Sequence, residues 1–261
     1  MFRPASFHRF APPAWPRHAG WLLAAAAGLA MADAARRQLD GIARARADAA
    51  AARGAWSRPV GEPLRRVLVL GDSTGVGVGA DPGRDSIAAL LAREHPQAHV
   101  LNLSASGARV ADMLAQARQA AAQGPWDLVL VLGGGNDVLQ RTPWPALAAS
   151  ADALLATLRG RSGRVVWAGM ANVGLAPLFL RPLGWWVSLR TRRAVRLYRA
   201  ACARQGARFV DFFCEAGEDP FSAEPARYYA RDGVHPSAAA YALCWQRLRP
   251  AVAGALAQNL V

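Results

Sequence analysis

The stretch Val67-Leu68-Val69-Leu70-Gly71-Asp72-Ser73-Thr74-Gly75 reads as a short buried strand that ends in a glycine turn presenting one serine. Nothing before Arg66 has a strand pattern, so this segment opens the sheet. Working outward, further apolar runs fall at 98–103, 127–132, 164–168 and 207–211, after a first strand at 66–70. Helical patterns lie between them at 85–95, 109–123, 144–159 and 185–205, with a last one near 237–257. Strands with near-continuous apolar cores, each followed by a helix, call for a parallel sheet covered on both faces. The expected fold is α/β: a three-layer α/β/α domain with a five-stranded parallel sheet, flavodoxin-like.

In such folds a ligand binds beyond the carboxyl ends of the strands. The polar and glycine-rich signals fall there. Ser73 follows the first strand, Ser104 to Gly107 the second, and Gly133-Gly134-Gly135-Asn136-Asp137 the third. Asp232-Gly233-Val234-His235-Pro236 stands just before the last helix and offers an imidazole with a carboxylate three positions earlier. A hydroxyl, a base and an acid to orient the base are what serine nucleophiles need near neutral pH.

Three readings compete for the glycine turn. Gly71-Asp72-Ser73-Thr74-Gly75 matches the G-x-S-x-G elbow of α/β-hydrolases, but that fold places several strands before its elbow. Gly75-Val76-Gly77-Val78-Gly79 could cradle a dinucleotide, yet Asn102 and Ser104 stand where an acid should hold the ribose. The third reading is a resemblance. The four segments, from about Val67 to Tyr241, resemble the sequence blocks of the SGNH (GDSL-type) hydrolase superfamily. Gly71-Asp72-Ser73 is similar to the first block and Gly107 sits where the second has its glycine. Gly134-Gly135-Asn136-Asp137 fits the third, Asp232 to Pro236 resembles the D-x-x-H block, and Tyr241 falls where members often have a tyrosine.

The resemblance implies roles. Ser73 attacks an acyl carbonyl, His235 takes and returns its proton, and Asp232 orients the ring. The oxyanion is held by the backbone N–H groups of Ser73 and Gly107 and by the Asn136 side chain. Asp72 is expected to be a hydrogen-bonding scaffold, and Asp137 to cap the next helix. Thr74, Ser104 and Ser106 are read as turn residues, His95 and His99 as surface residues. No cluster has metal-ligand spacing, so no metal or cofactor is expected. Cys202, Cys214 and Cys244 are an odd, widely spaced set that suggests buried thiols, not a disulfide framework.

The formal charge is +13, and all 31 basic residues are Arg. Residues 1–66 hold eleven Arg against Asp33, Asp40, Asp48 and Glu62, a net +7, which leaves +6 for the other 195. Basicity concentrated in a leader fits anionic lipid or membrane targeting better than nucleic-acid reading. Within it, Arg3, Arg9 and Arg17 precede an uncharged stretch from Ala19 to Ala32 that ends in Ala30-Met31-Ala32, a small-x-small cleavage pattern. Fourteen residues rise only about 21 Å as a helix, so a signal peptide or marginal anchor fits better than a full span. A cytoplasmic Ala-rich helix is the alternative. His8 and His18 belong to this leader. The Arg/Ala-rich residues 33–57 read as a helical linker, and Ser57 to Pro63 marks the boundary. The expected division is a leader at 1–57 and a hydrolase domain at 58–261, exported or envelope-associated.

Between the fourth strand and its helix, Val173 to Leu189 carries Leu175, Leu178, Phe179, Leu180, Leu183, Trp185 and Trp186. It reads either as an apolar lid beside the site or as a loop packed on the core. Within 185–205, Arg192, Arg196 and Arg199 share one side and suggest a solvated basic face, or a surface for anionic lipid. An apolar approach and a basic leader point to a carboxylic ester hydrolase of lipase, lysophospholipase or thioesterase type acting on a small-molecule or lipid ester. An O-acetyl esterase for envelope polysaccharide and a catalytically silent binding module are the alternatives.

Overall fold

The computed structural model describes residues 19–51, 54–160 and 162–257. The leader's Arg3, His8, Arg9, Arg17 and His18 lie outside the described residues. After the helix α1 (Ala19–Ala51) come the strands β1 (Arg65–Gly71), β2 (Ala98–Asn102), β3 (Trp126–Leu132), β4 (Ser162–Ala168) and β5 (Arg208–Val210). The helices following α1 are α2 (Ser73–Val76), α3 (Ile87–Glu94), α4 (Val110–Gln119), α5 (Gly135–Leu139) and α6 (Trp144–Arg159). They continue with α7 (Leu183–Gln205), α8 (Pro220–Ala223), α9 (Pro225–Tyr228) and α10 (Ala238–Ala257).

All strand pairs are parallel and the sheet order is β2-β1-β3-β4-β5. This is the flavodoxin-like order, with its switch point between β1 and β3. Leu68, Leu70, Val129 and Val131 join α4, α6 and α7 in one core. Val67, Val69, Leu128 and Leu130 join α3 and α10 in the other. The pleat alternates side chains between the faces, so an apolar residue at every strand position is what two buried faces require.

The five expected strands and five long helices are present, with ends shifted by a few residues. The short helices at the strand ends were not expected, because a four- or five-residue turn has no apolar period to read. The uncharged stretch and residues 33–51 of the linker lie in one helix, α1, while residues 54–57 are not helical. Among the described residues no helix is long and apolar enough to cross a membrane.

At the edge of the sheet, Arg58 pairs antiparallel with Val100 through two backbone hydrogen bonds of 2.8 and 2.9 Å. This segment covers the outer side of β2, which would otherwise present an open strand edge. His99 takes part: its Nδ1 accepts from the Val60 N–H at 3.3 Å, and the side chain is half-buried. His95 is half-buried as well, at the end of α3, so both histidines are partly covered surface residues.

Candidate active site

The chain leaves β1 at Gly71 and enters α2 within two residues, and Asp72 caps that helix. One Asp72 oxygen accepts from the backbone N–H and hydroxyl of Thr74, both at 2.8 Å. The other accepts from the Gly134 N–H at 3.1 Å, which ties the end of β1 to the loop after β3. Burial raises the Asp72 carboxyl above the ordinary Asp value, against the opposing pull of those donors. Asp72 is therefore the scaffold expected of it. Ser73, 9% exposed, is the first residue of α2. Its N–H belongs to the first turn, where the helix offers no acceptor of its own. Gly75 is required by close approach, since a Cβ there would stand 2.2 Å from Ser104 Oγ.

The histidine is held by its own acid. Asp232 Oδ1 accepts from the N–H groups of Val234 at 2.9 Å and His235 at 3.0 Å. Its Oδ2 lies 2.5 Å from His235 Nδ1. Burial would raise the Asp232 carboxyl, but the bonds from the His235 ring and the two backbone donors outweigh it and hold the group below the usual Asp range. An ionised carboxylate only accepts, so the ring hydrogen sits on Nδ1. Nε2 is then an acceptor, and it stands 3.0 Å from Ser73 Oγ. Tyr241 of α10 donates to the Val78 carbonyl at 2.9 Å and so fastens the helix that follows the histidine to the turn that follows the serine.

The remaining candidates meet on the adjacent loops. Asn136, in α5, donates from Nδ2 to the Ala108 carbonyl at 3.1 Å, which leaves its second amide hydrogen for another acceptor. Gly107 has φ +83°, a left-handed conformation that disfavours side chains. A Cβ there would meet nothing within 4 Å, so the backbone at this point faces open space.

Asp137 departs from expectation. It lies in the first turn of α5, but its buried carboxylate accepts at 2.9 Å from the N–H of Val110, the first residue of α4. It thus serves a helix earlier in the chain, and burial pushes its carboxyl up. Three positioning groups were missed. Gln116 grips the Gly71 backbone in both directions at 2.9 and 3.0 Å. Gln140 donates to the Gly107 carbonyl at 3.2 Å. Tyr198, stacked on buried Trp167 with ring centroids 4.8 Å apart, donates to the Gly134 carbonyl at 3.1 Å. A glutamine on the apolar side of the 109–123 pattern was the one readable signal among them.

The segment 173–189 is part packed and part exposed. Val173 and Phe179 pack against the core, whereas Leu180, Leu183, Trp185, Trp186 and Leu189 are exposed. Among the described residues no group of acidic, histidine or cysteine side chains is placed to hold a metal ion.

Several solved structures share this architecture. TesA aligns with a TM-score of 0.59 and 23% identity over 74% of this chain and 100% of its own. The psychrotrophic esterase EstA from Pseudoalteromonas aligns at 0.57 and 15%, over 73% and 97%. Axe2, an acetylxylan esterase from Geobacillus stearothermophilus, aligns at 0.53 and 18%, over 74% and 95%. At such identities these likenesses speak for the fold. Among curated proteins, none matches the chain in sequence. The family itself is carried by a sequence model, the GDSL-like lipase/acylhydrolase family, which matches residues 69–243. That span contains all four loops that converge beyond the strands, and it makes this chain a member of the GDSL-like lipase/acylhydrolase family, a serine ester hydrolase of SGNH type.

Proposed function

We propose that the protein hydrolyses carboxylic esters through an acyl-enzyme formed on Ser73. The observation that carries this reading is the continuous chain from Ser73 Oγ to His235 Nε2 at 3.0 Å and from His235 Nδ1 to Asp232 at 2.5 Å. As Oγ attacks the acyl carbonyl, its proton passes to Nε2, and the charged ring is stabilised by the Asp232 carboxylate. His235 then protonates the leaving alcohol. A water molecule, deprotonated by the same nitrogen, releases the acid and regenerates the serine.

The tetrahedral oxygen takes its donors from the N–H of Ser73, the N–H of Gly107 and the free hydrogen of the Asn136 amide. The Ala108 carbonyl bond orients that amide before substrate arrives, so no reorganisation is needed as charge develops.

The substrate we favour is a lipid-like ester, on the strength of the exposed Leu180, Leu183, Trp185 and Trp186 beyond β4. The cationic leader and the uncharged stretch 19–32 support export or attachment to the envelope. The second reading is an O-acetyl esterase, favoured by the likeness to the acetylxylan esterase Axe2. A chain-length series of p-nitrophenyl esters separates the two: rates that rise from acetate to octanoate support the lipid reading, and strict preference for acetate overturns it. The series is run with fluorophosphonate labelling of the full chain. A folded protein that takes no label would instead be a catalytically silent binding module.

A further inference from the structure

Away from the serine, α1 lies across the segment after β4, and the crossing point is buried Gly41. A Cβ on Gly41 would stand 2.4 Å from Leu178 Cδ1, so even alanine there makes the end of the Leu178 side chain turn aside, and a bulkier residue would fill the crossing point. Residues 34, 37, 38, 41 and 44 form one face of α1 at helical spacing, and this face closes a cleft of about 430 Å³ against the loops 177–180 and 231–233. Its floor is the backbone of the Asp232 turn, which Leu178 also grips by donating to the Gly233 carbonyl at 3.0 Å.

The charge in this cleft is one-sided. Arg37, Arg44 and Arg231 line it. Arg37 pairs with Asp33 on its own helix, while Arg44 and Arg231 meet no carboxylate at ion-pair distance among the described residues. Asp232 adds nothing to offset them, because its side chain is fully buried and its oxygens are occupied by Val234 and His235. The opposite wall is apolar, made by Pro177, Leu178 and Leu180. Leu180 is itself exposed and is followed by exposed Leu183 and Trp185. Guanidinium groups suit the oxygens of a phosphate through parallel N–H bonds, and the apolar wall suits methylene groups. The volume falls within the range of small-ligand sites.

We infer that this cleft binds the phosphate headgroup of an anionic amphiphile. Arg44 and Arg231, with Arg37, take the phosphate, and Leu178 and Leu180 cover the first carbons of the acyl chains. The occupied cleft joins α1 to the turn that carries the acid, and it holds the hydrolase against a surface rich in such lipids. The site is separate from the Ser73 hydroxyl and does not depend on the proposed chemistry.

The test uses the full chain carrying Ser73→Ala, so that no turnover intervenes. Dihexanoylphosphatidic acid, dihexanoylphosphatidylcholine and inorganic phosphate are titrated by calorimetry below the micellar concentration. Phosphatidic acid is expected to bind at least about tenfold tighter than either of the others. Adding Arg44→Gln with Arg231→Gln should weaken it by about tenfold or more, as the loss of charge-assisted bonds predicts. Gly41→Leu, which leaves every arginine in place, should weaken it too. Both positions of the double variant are exposed, so melting curves that match the parent show that binding alone was lost. Equal affinity for phosphatidylcholine, or unchanged affinity in the double variant, would overturn the site. Inorganic phosphate binding as tightly as phosphatidic acid would overturn the amphiphile. Failure of the ester assays leaves this result untouched, since none of its readouts uses hydrolysis.

Discussion

His235 Nε2 stands 3.0 Å from Ser73 Oγ, although 162 residues separate them in the chain. The contact is held from both sides. Asp232 fixes the ring through Nδ1, and Tyr241 ties the helix after the histidine to the Val78 carbonyl in the turn after the serine. If this contact makes the nucleophile, Ser73→Ala should lower kcat for p-nitrophenyl esters by about 10⁴–10⁶ and abolish fluorophosphonate labelling. Circular dichroism and the melting temperature should stay at the parent's values. Labelling that persists in the variant would move the nucleophile elsewhere.

Asn136→Ala removes one proposed oxyanion donor, which should reduce kcat by about 10²–10³ with little change in KM. The same change costs the bond to the Ala108 carbonyl, so a small loss of stability is expected beside it. Near-normal turnover in a folded variant would take Asn136 out of the mechanism.

Asp72 bridges two loops from a buried position, so Asp72→Ala strands the N–H groups of Thr74 and Gly134. Unsatisfied buried donors cost about 1–3 kcal/mol each, partly offset because a buried carboxylate is removed as well. The urea midpoint should fall by an amount equivalent to about 2–4 kcal/mol. An unchanged midpoint would show that the two loops hold together without this side chain.

The pH dependence of stability should carry the signature of Asp232. Its carboxyl is held below the ordinary range in the folded state, against about 3.9 in an unfolded chain. The folded state thus binds the proton less readily than the unfolded one. Stability from this group is complete above its unfolded value and is lost as pH falls through the folded one. Asp72 and Asp137, both raised, act in the opposite sense: what they contribute is lost as pH rises from the unfolded value through their own. Asp232→Asn isolates the first effect. The gap in urea midpoint between parent and variant should be open at pH 7 and narrow progressively below about pH 4. A gap that stays constant from pH 7 to pH 3 would contradict it. At neutral pH the same variant should lose about 10⁴ in kcat, because the neutral amide no longer fixes the ring tautomer.

The strand cores were legible because positions 67–70 of β1 and 128–132 of β3 must each satisfy a buried face, which leaves a run such as Val67 to Leu70 no other reading. Ser73, Gly107, Asn136, Asp232 and His235 were legible as candidates because each sits in a short pattern at the carboxyl end of a strand or just before the last helix. Gln140 and Tyr198 were not, since each acts on a backbone group 33 or 64 residues away and leaves no local mark, and Gln116 shows only as a polar residue on the apolar side of a helix. Asp137 was misread for a related reason. Position in the first turn of α5 suggests a cap for that helix, but the backbone N–H that its carboxylate accepts from belongs to α4.

Sequence alone therefore determined the layers, the parallel sheet and the set of polar groups gathered at one edge, because hydrophobic period and strand–helix alternation are properties of neighbouring residues. Tertiary structure alone decided which groups touch. The pairing of Ser73 with His235, the bridge from Asp72 to Gly134 and the crossing of Gly41 over Leu178 each depend on how far apart the sheet sets the ends of distant segments. Those separations come from strand order and packing, which act on the chain as a whole.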